Sequence, residues 1–387
     1  MKTLNKAILN EILQNRIDAD LKANCVSGAA VMVAQNGEIL SQIYAGVKDP
    51  RTGEPLQPHT IYRLASMTKP VTGIAALVGM QKGWYSIFDK VSDHLPEFAN
   101  VSVGRLEDGK VVPDHKPISD LRIYQLLCHI NGILTAEPID LVQGGNIPVE
   151  SWQTCRTMVD HFTKNCCFSF DPMERCSYSG RAAFDVMACI IEKKSGLPYA
   201  EFVKQNILDP LGLKDLIFTA TEEQWDRMIT MTDRSWEGLN SVATDMGRHM
   251  YEGLPLTYHS GGASMAGSVE DYFVFAEMLR GKGSYNGVQI VRPELMELYS
   301  TPFVPACTPG RDIYDSWGLG VRVTQKNPHL PAGTFGWSGA YGTHFWVDPE
   351  NQITAVYMRN SRWHDSHGCG TIGQQFEKDV MRALAES

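Results

Sequence analysis

Strand-type residues gather at the two ends of this chain and leave its middle to helices, so any sheet must be assembled from segments far apart in sequence. Gly28 to Gln35 (GAAVMVAQ) and Glu38 to Ala45 (EILSQIYA) are apolar β-type runs joined by Asn36-Gly37, a dipeptide that favours a type I′ hairpin turn. Near the C-terminus, Trp317 to Val323, Thr334 to Trp337, Gly342 to Val347 and Ile353 to Met358 are further strand-like runs, and Ile372 to Ala385 is helical in period. One antiparallel sheet shared by both ends is the expectation.

Between the ends, Ser119 to Ile130, Ala182 to Lys194, Tyr199 to Ile207 and Glu222 to Met228 are helical segments separated by Pro/Gly/Asp loops. Ser268-Val269-Glu270-Asp271 has the pattern of a capping box, in which a hydroxyl and an acidic side chain satisfy free N–H groups, and opens a helix to about Arg280. The fold class this implies is α/β (α+β), an antiparallel sheet flanked by helices with an inserted all-helical lobe. Residues 1–85 and 256–387 would form the α/β lobe and residues 86–255 the mostly helical one, with the active site at their interface.

With 387 residues, 43% hydrophobic and 20% charged, the chain is neither disordered nor a collagen nor a coiled coil. Its formal net charge of −9 would repel a phosphate backbone or an anionic membrane, which argues against a nucleic-acid role. Met1 to Asn15 reads as an amphipathic helix without the apolar core of a signal peptide, and no stretch approaches the roughly 18 apolar residues of a membrane span. A cytoplasmic protein is expected. Nine cysteines, an odd number without a CxxC pair, read as reduced thiols. His364-Asp365-Ser366-His367-Gly368-Cys369 gathers potential metal ligands, but with no second ligand group in sight it reads as a polar loop, and neither a metal nor another cofactor is expected.

The chemistry centres on Ser66-Met67-Thr68-Lys69, the one S-x-x-K in the sequence. Ile61 to Ser66 is an extended approach, and Lys69-Pro70 to Gln81 is an apolar helical run, so Ser66 is expected at a helix N-terminus with the Lys69 amine on the same face. A serine hydroxyl needs a base to become a nucleophile at neutral pH, and a lysine serves only if burial or another cation lowers its pKa. Arg175-Cys176-Ser177-Tyr178-Ser179-Gly180 places a tyrosine just before a helix, where a phenolate held against Lys69 would act as general base. The glycine-rich run Phe335 to Thr343 (FGWSGAYGT) lets backbone approach a ligand closely, and the N–H groups of Ala340 and Ser66 would form an oxyanion hole.

These three motifs, in this order, resemble the serine β-lactamase/penicillin-binding-protein superfamily, with the class C β-lactamase fold, and most of all its family VIII carboxylesterases. Supporting stretches are Val26 to Ser66, Leu126 to Gly132 (LLCHING), Tyr178 to Asp215, Gly261 to Leu279 and Trp337 to Pro349, which together span most of the chain. The resemblance implies that Ser66 is acylated, that Lys69 and Tyr178 form the proton-transfer pair, and that Ala340 supplies the second oxyanion N–H. It also puts Trp337, Ser338, Gly339 and Tyr341 on the substrate side, Trp337 and Tyr341 as an aromatic entrance, and His129 in a structural loop. Two positions depart from the family pattern. The tyrosine motif ends in Gly180 where an Asn is usual, and the late strand has Trp337-Ser338-Gly339 where Lys-Thr-Gly or His-x-Gly is usual. The cation that grips a carboxylate is therefore missing, which points to uncharged esters or amides.

Lys194-Ser195-Gly196 mimics the missing Lys-Thr-Gly but closes a helix, with Gly196 as its cap. No G-x-S-x-G exists, since Gly262-Ala263-Ser264-Met265-Ala266 lacks the second glycine, so an α/β-hydrolase is set aside. The expected function is a serine hydrolase working through an acyl-enzyme on a small ester substrate. A β-lactamase, a D-amino-acid peptidase or amidase and an acyltransferase are the alternatives on the same fold. A silent binding module is supported only by Gly180.

Overall fold

The computed structural model describes residues 2–108, 110–133, 153–234, 241–363 and 371–387. Its sheet is organised around β1 (Gly28–Gln35), a strand buried at every position. Side chains alternate across a strand. Accordingly Ala30, Met32 and Ala34 enter one apolar cluster while Ala29, Val31 and Val33 enter another. Burial on both faces is why this strand reads as a continuous apolar run. Asn36 and Gly37 take φ of 53° and 82°, as the expected turn requires, and return the chain into β2 (Glu38–Asp49) with Gln35 opposite Glu38.

The other strands are β3 (Glu54–Pro55), β4 (Asp315–Trp317), β5 (Arg322–Thr324), β6 (Phe335–Ser338), β7 (His344–Asp348) and β8 (Ile353–Met358). The sheet order is β4-β5-β6-β7-β8-β1-β2-β3, all antiparallel, and Ala30 of β1 lies opposite Met358 of β8. The two ends of the chain thus share one sheet. Trp317 to Val323, expected as a single strand, is a hairpin instead. Gly320 at φ 80° and a Gly318 N–H to Val321 O bond of 2.9 Å turn the chain between β4 and β5.

The longer helices are α1 (Lys6–Lys22), α2 (Thr68–Gln81), α3 (Cys155–Asn165), α4 (Ala182–Ser195), α5 (Val269–Arg280) and α6 (Ile372–Glu386). α1 and α6 cover one face of the sheet, where Leu9, Leu13, Ile17, Phe376 and Val380 pack with Val31, Val33, Trp346 and Tyr357. The opposite face receives Val71 and Ile74 of α2 and Phe275 and Leu279 of α5, which share a cluster with Met32, Phe345 and Val356. Phe376 is 3% exposed and its ring lies 5.6 Å from that of Tyr357. Phe376→Ala should lower stability by about 3–5 kcal/mol, read as a shift of the urea midpoint; a loss under about 1 kcal/mol would mean that α6 is not held through this side chain.

The inserted part is helical at α3 and α4 but not throughout. Ser119 to Ile130 is helical only over Ile123–Leu127, and Tyr199–Val203 gives way to a wider π turn at Lys204–Leu208. Two short ladders also occur, Val103–Glu107 with Lys110–His115 and Thr232–Arg234 with Ser241–Ala243. The first turns at Asp108, whose φ is 50°. At the start of α5 only half of the capping box forms. Ser268 Oγ accepts from Asp271 N at 3.2 Å, but the Asp271 carboxylate turns away to the Asp215 N–H at 2.5 Å. Gly196, at φ 71°, ends α4. Among the described residues no helix is long and apolar enough to cross a membrane.

Candidate active site

The strand Ile61–Arg63 runs into a 3-10 turn, Ala65–Met67, and α2 starts directly after it. Ser66 therefore sits in the turn that leads into the helix, one step earlier than expected. Ala65 has φ of 45°, a left-handed conformation that costs a non-glycine residue about 1–3 kcal/mol and persists only where the surroundings impose it. They do so here. The Asn360 side chain clamps both the N–H and the C=O of Arg63, at 2.8 and 3.0 Å, and Leu64 N donates to Met265 O at 2.9 Å. Beyond the serine, Thr68 Oγ1 donates to Ala65 O at 2.8 Å and Tyr272 Oη to Met67 O at 2.9 Å.

Lys69 has no solvent exposure, and its Nζ lies 3.0 Å from Ser66 Oγ, 2.6 Å from Gly180 O and 2.9 Å from Gly262 O. Desolvation lowers its pKa to about 7, with Asp185 opposing that shift and Arg181 adding to it. Two carbonyls occupy two N–H groups, so a neutral amine points its lone pair at the serine. Asp185 reaches the same place indirectly. Its carboxylate accepts from Tyr258 Oη, Ser260 Oγ and Gly261 N at 2.7, 2.6 and 2.9 Å, which fixes the backbone that carries Gly262 O.

Tyr178 Oη donates to Ser66 Oγ at 2.7 Å and accepts from Trp337 Nε1 at 3.3 Å. The residue is 39% exposed at the cleft, but its ring packs against His129, Trp317 and Trp337 at centroid distances of 4.6, 6.0 and 5.6 Å. Desolvation pushes the phenol up to about 12, against smaller lowering effects from Ser66 and Trp337. The protonation states expected from sequence are thus exchanged: the phenol is neutral near pH 7, and the buried amine is the group that titrates there. His129 Nδ1 accepts from Ser179 N at 3.0 Å and its carbonyl from Ser177 N at 2.9 Å, so this histidine shapes the tyrosine loop.

The facing wall is β6 and the turn after it. Ser66, Tyr178, Trp337, Ser338, Gly339 and Ala340 line a cleft of about 320 Å³. A Cβ on Gly339 would stand 2.2 Å from Leu64 O, so glycine here lets the wall touch the nucleophile turn. Tyr341, expected at the entrance, is not part of the cleft lining. It is 4% exposed, packs with Ala65 and Met231, and its hydroxyl accepts from Glu252 N at 3.1 Å, so it props the strained Ala65 from behind. Among the described residues no cluster of His, Cys, Asp or Glu could hold a metal ion; His364 to Cys369 lies outside them.

Sequence reasoning missed several residues of this region. Asp185 had a signal, a carboxylate inside the apolar period of α4. Trp317 closes the aromatic wall, 4.4 Å from Trp337 by ring centroid. His344 and Glu377, behind Ser338, had none, because their meeting depends on the packing of α6 on β7.

A family model described as Beta-lactamase matches residues 13–368. Esterase EstB of Burkholderia gladioli is 26% identical over 398 residues, covering 96% of this chain and 95% of its own length. Uncharacterized protein MT1414 of Mycobacterium tuberculosis (strain CDC 1551 / Oshkosh) is 27% identical over 365 residues, covering 87% and 86%. The solved structure of EstCE1, described as a hydrolase with promiscuous acyltransferase activity, has a TM-score of 0.75 at 21% identity, covering 98% of this chain and 99% of that one. At that identity the likeness is one of fold.

Proposed function

The chain belongs to the beta-lactamase family, and from its site we propose that it is a serine hydrolase, a carboxylesterase that forms an acyl-enzyme with small, uncharged esters. The observation that carries this reading is the pair of contacts on one oxygen: Lys69 Nζ at 3.0 Å and Tyr178 Oη at 2.7 Å from Ser66 Oγ. In acylation Lys69 takes the Ser66 proton as Oγ attacks the ester carbonyl, and the N–H groups of Ser66 and Ala340 receive the developing oxyanion. As the bond to the leaving alcohol breaks, the Lys69 proton passes through the Tyr178 hydroxyl to the departing oxygen. Esterase EstB, a relative over nearly the full length, supports the ester class. So does Trp337, which puts an indole where a carboxylate-binding cation would stand in penicillin-type relatives.

We further assign the cleft to the junction of residues 1–85 and 256–387 with residues 86–255, since Ser66 and β6 come from the first set and Tyr178 from the second. The described cysteines are all free thiols, which supports a reducing, cytoplasmic location.

The test is intact-mass analysis after exposure to a fluorophosphonate, with turnover of nitrophenyl acetate and butyrate measured beside a chromogenic cephalosporin. A single adduct on the Ser66 peptide and ester turnover well above cephalosporin turnover are expected. No adduct, or an adduct elsewhere, overturns the nucleophile; equal cephalosporin turnover moves the reading to a β-lactamase. Tyr178→Phe should lower kcat by about two to four orders of magnitude with little change in KM. A loss under about tenfold would remove the phenol from the proton path.

A further inference from the structure

A carboxylate without solvent exposure is costly unless donors meet its oxygens, and Asp185 stands in that position in the first turn of α4. Its donors Tyr258 Oη, Ser260 Oγ and Gly261 N belong to one short segment, Tyr258 to Gly262. Ser260 Oγ also accepts from Gly262 N at 3.0 Å. From the other side, Thr72 Oγ1 of α2 donates to Gly261 O at 2.5 Å and lies 2.6 Å from Tyr199 Oη. The segment presses closely on α4: a Cβ on Gly261 would stand 2.6 Å from Phe184 O, and one on Gly262 would stand 2.8 Å from Arg181 Cα. Gly262 O is thereby fixed from two helices, and the Lys69 amine bonded to it is held beside Ser66 Oγ.

The same carboxylate acts on Lys69 through its charge. Desolvation disfavours the ammonium form and Asp185 opposes that effect, while Arg181, at the N-terminal end of α4, adds to it. The other ionisable groups beside the amine are Tyr178, protonated near pH 7, and His129, which burial and the Lys69 charge keep neutral. Around Asp185 stand Arg181, Tyr258, Tyr199, Cys155, Cys189 and Glu192; burial holds the tyrosines and thiols in their protonated forms. We propose that Asp185 is a positioning residue for the general base: through Ser260 and Gly261 it holds the Gly262 carbonyl on the Lys69 amine, and its charge sets the pH at which that amine becomes free. The inference rests on the reading of Lys69 as the base that activates Ser66. Its two parts are separable, because the hydrogen bonds decide where the amine points and the charge decides when it is unprotonated.

Asp185→Asn and Ser260→Ala test this beside the unsubstituted protein, with kcat and KM for nitrophenyl acetate measured across the pH range and melting temperatures as the check on folding. Asparagine can still accept from Ser260 and Gly261 and can donate to Tyr258 Oη, so the geometry stays while the charge goes. Without the anion the ammonium form loses support, and the acid limb of kcat/KM should move down by about half a pH unit or more, with the plateau kept within about tenfold. In Ser260→Ala the charge stays and the tether on Gly262 goes. Plateau kcat should then fall about 10–100-fold, with the limb in place and KM little changed. An unmoved limb in Asp185→Asn overturns the proposal, and so does an undiminished plateau in Ser260→Ala. Ser260→Ala, which leaves the carboxylate in place, carries the test alone should Asp185→Asn not fold. An unsubstituted protein without an acid limb near pH 7 would instead remove Lys69 as the base and sink the underlying reading, so the two failures are distinct.

Discussion

Ser66→Ala is expected to remove ester turnover by at least about three orders of magnitude, because it removes the one oxygen that both Lys69 Nζ and Tyr178 Oη contact. The substitution is small. The serine side chain lies in the cleft and the turn around it is held by bonds to Arg63, Leu64, Ala65 and Met67, none of which uses the hydroxyl. Thermal stability should therefore stay close to that of the unsubstituted protein, and the fluorophosphonate adduct should disappear. Residual turnover within about tenfold of the original, in protein with an unchanged melting temperature, would mean that ester cleavage occurs without this nucleophile.

Lys69→Met should follow closely, lowering kcat/KM by about two to four orders of magnitude. Methionine fills similar volume but leaves Gly180 O and Gly262 O without their donor, so some stability is lost as well, about 1–3 kcal/mol for each buried acceptor that stays unpaired. The pH dependence separates the two effects. Lys69 accepts a proton only as the free amine and its pKa is lowered to about 7, so kcat/KM should fall as pH drops through about 7. A flat profile from pH 6 to pH 8 would remove Lys69 as the base. The same shift acts on stability. Between about 7 and the ordinary 10.5 the unfolded chain binds a proton that the folded one does not, so this group's contribution to stability rises with pH across that window.

Much of the scaffold was legible because its signals are local. The Asn36-Gly37 turn, the apolar run of β1 and the Gly196 cap each follow from a few adjacent residues. The nucleophile region was legible from Ser66 and Lys69 being three apart. What could not be read was set by contacts between distant segments. Tyr341 looks like a cleft aromatic in a glycine-rich strand, yet the turn at Gly342 sends it behind Ala65. The exchange of protonation between Lys69 and Tyr178 likewise depends on how completely each is desolvated, which spacing does not reveal.

The pairing of β1 with β8 bears on how the protein is made. During synthesis Gly28 to Gln35 leaves the ribosome more than three hundred residues ahead of its partner Ile353–Met358. An eight-residue apolar strand must wait that long for its neighbour, a slow, non-local closure that favours aggregation and recruits chaperones. Asn360, which clamps the backbone of Arg63, arrives with the same late segment. A nascent chain would therefore carry its nucleophile long before it could use it, and hydrolysis would begin only once Ile353–Met358 and Asn360 have followed.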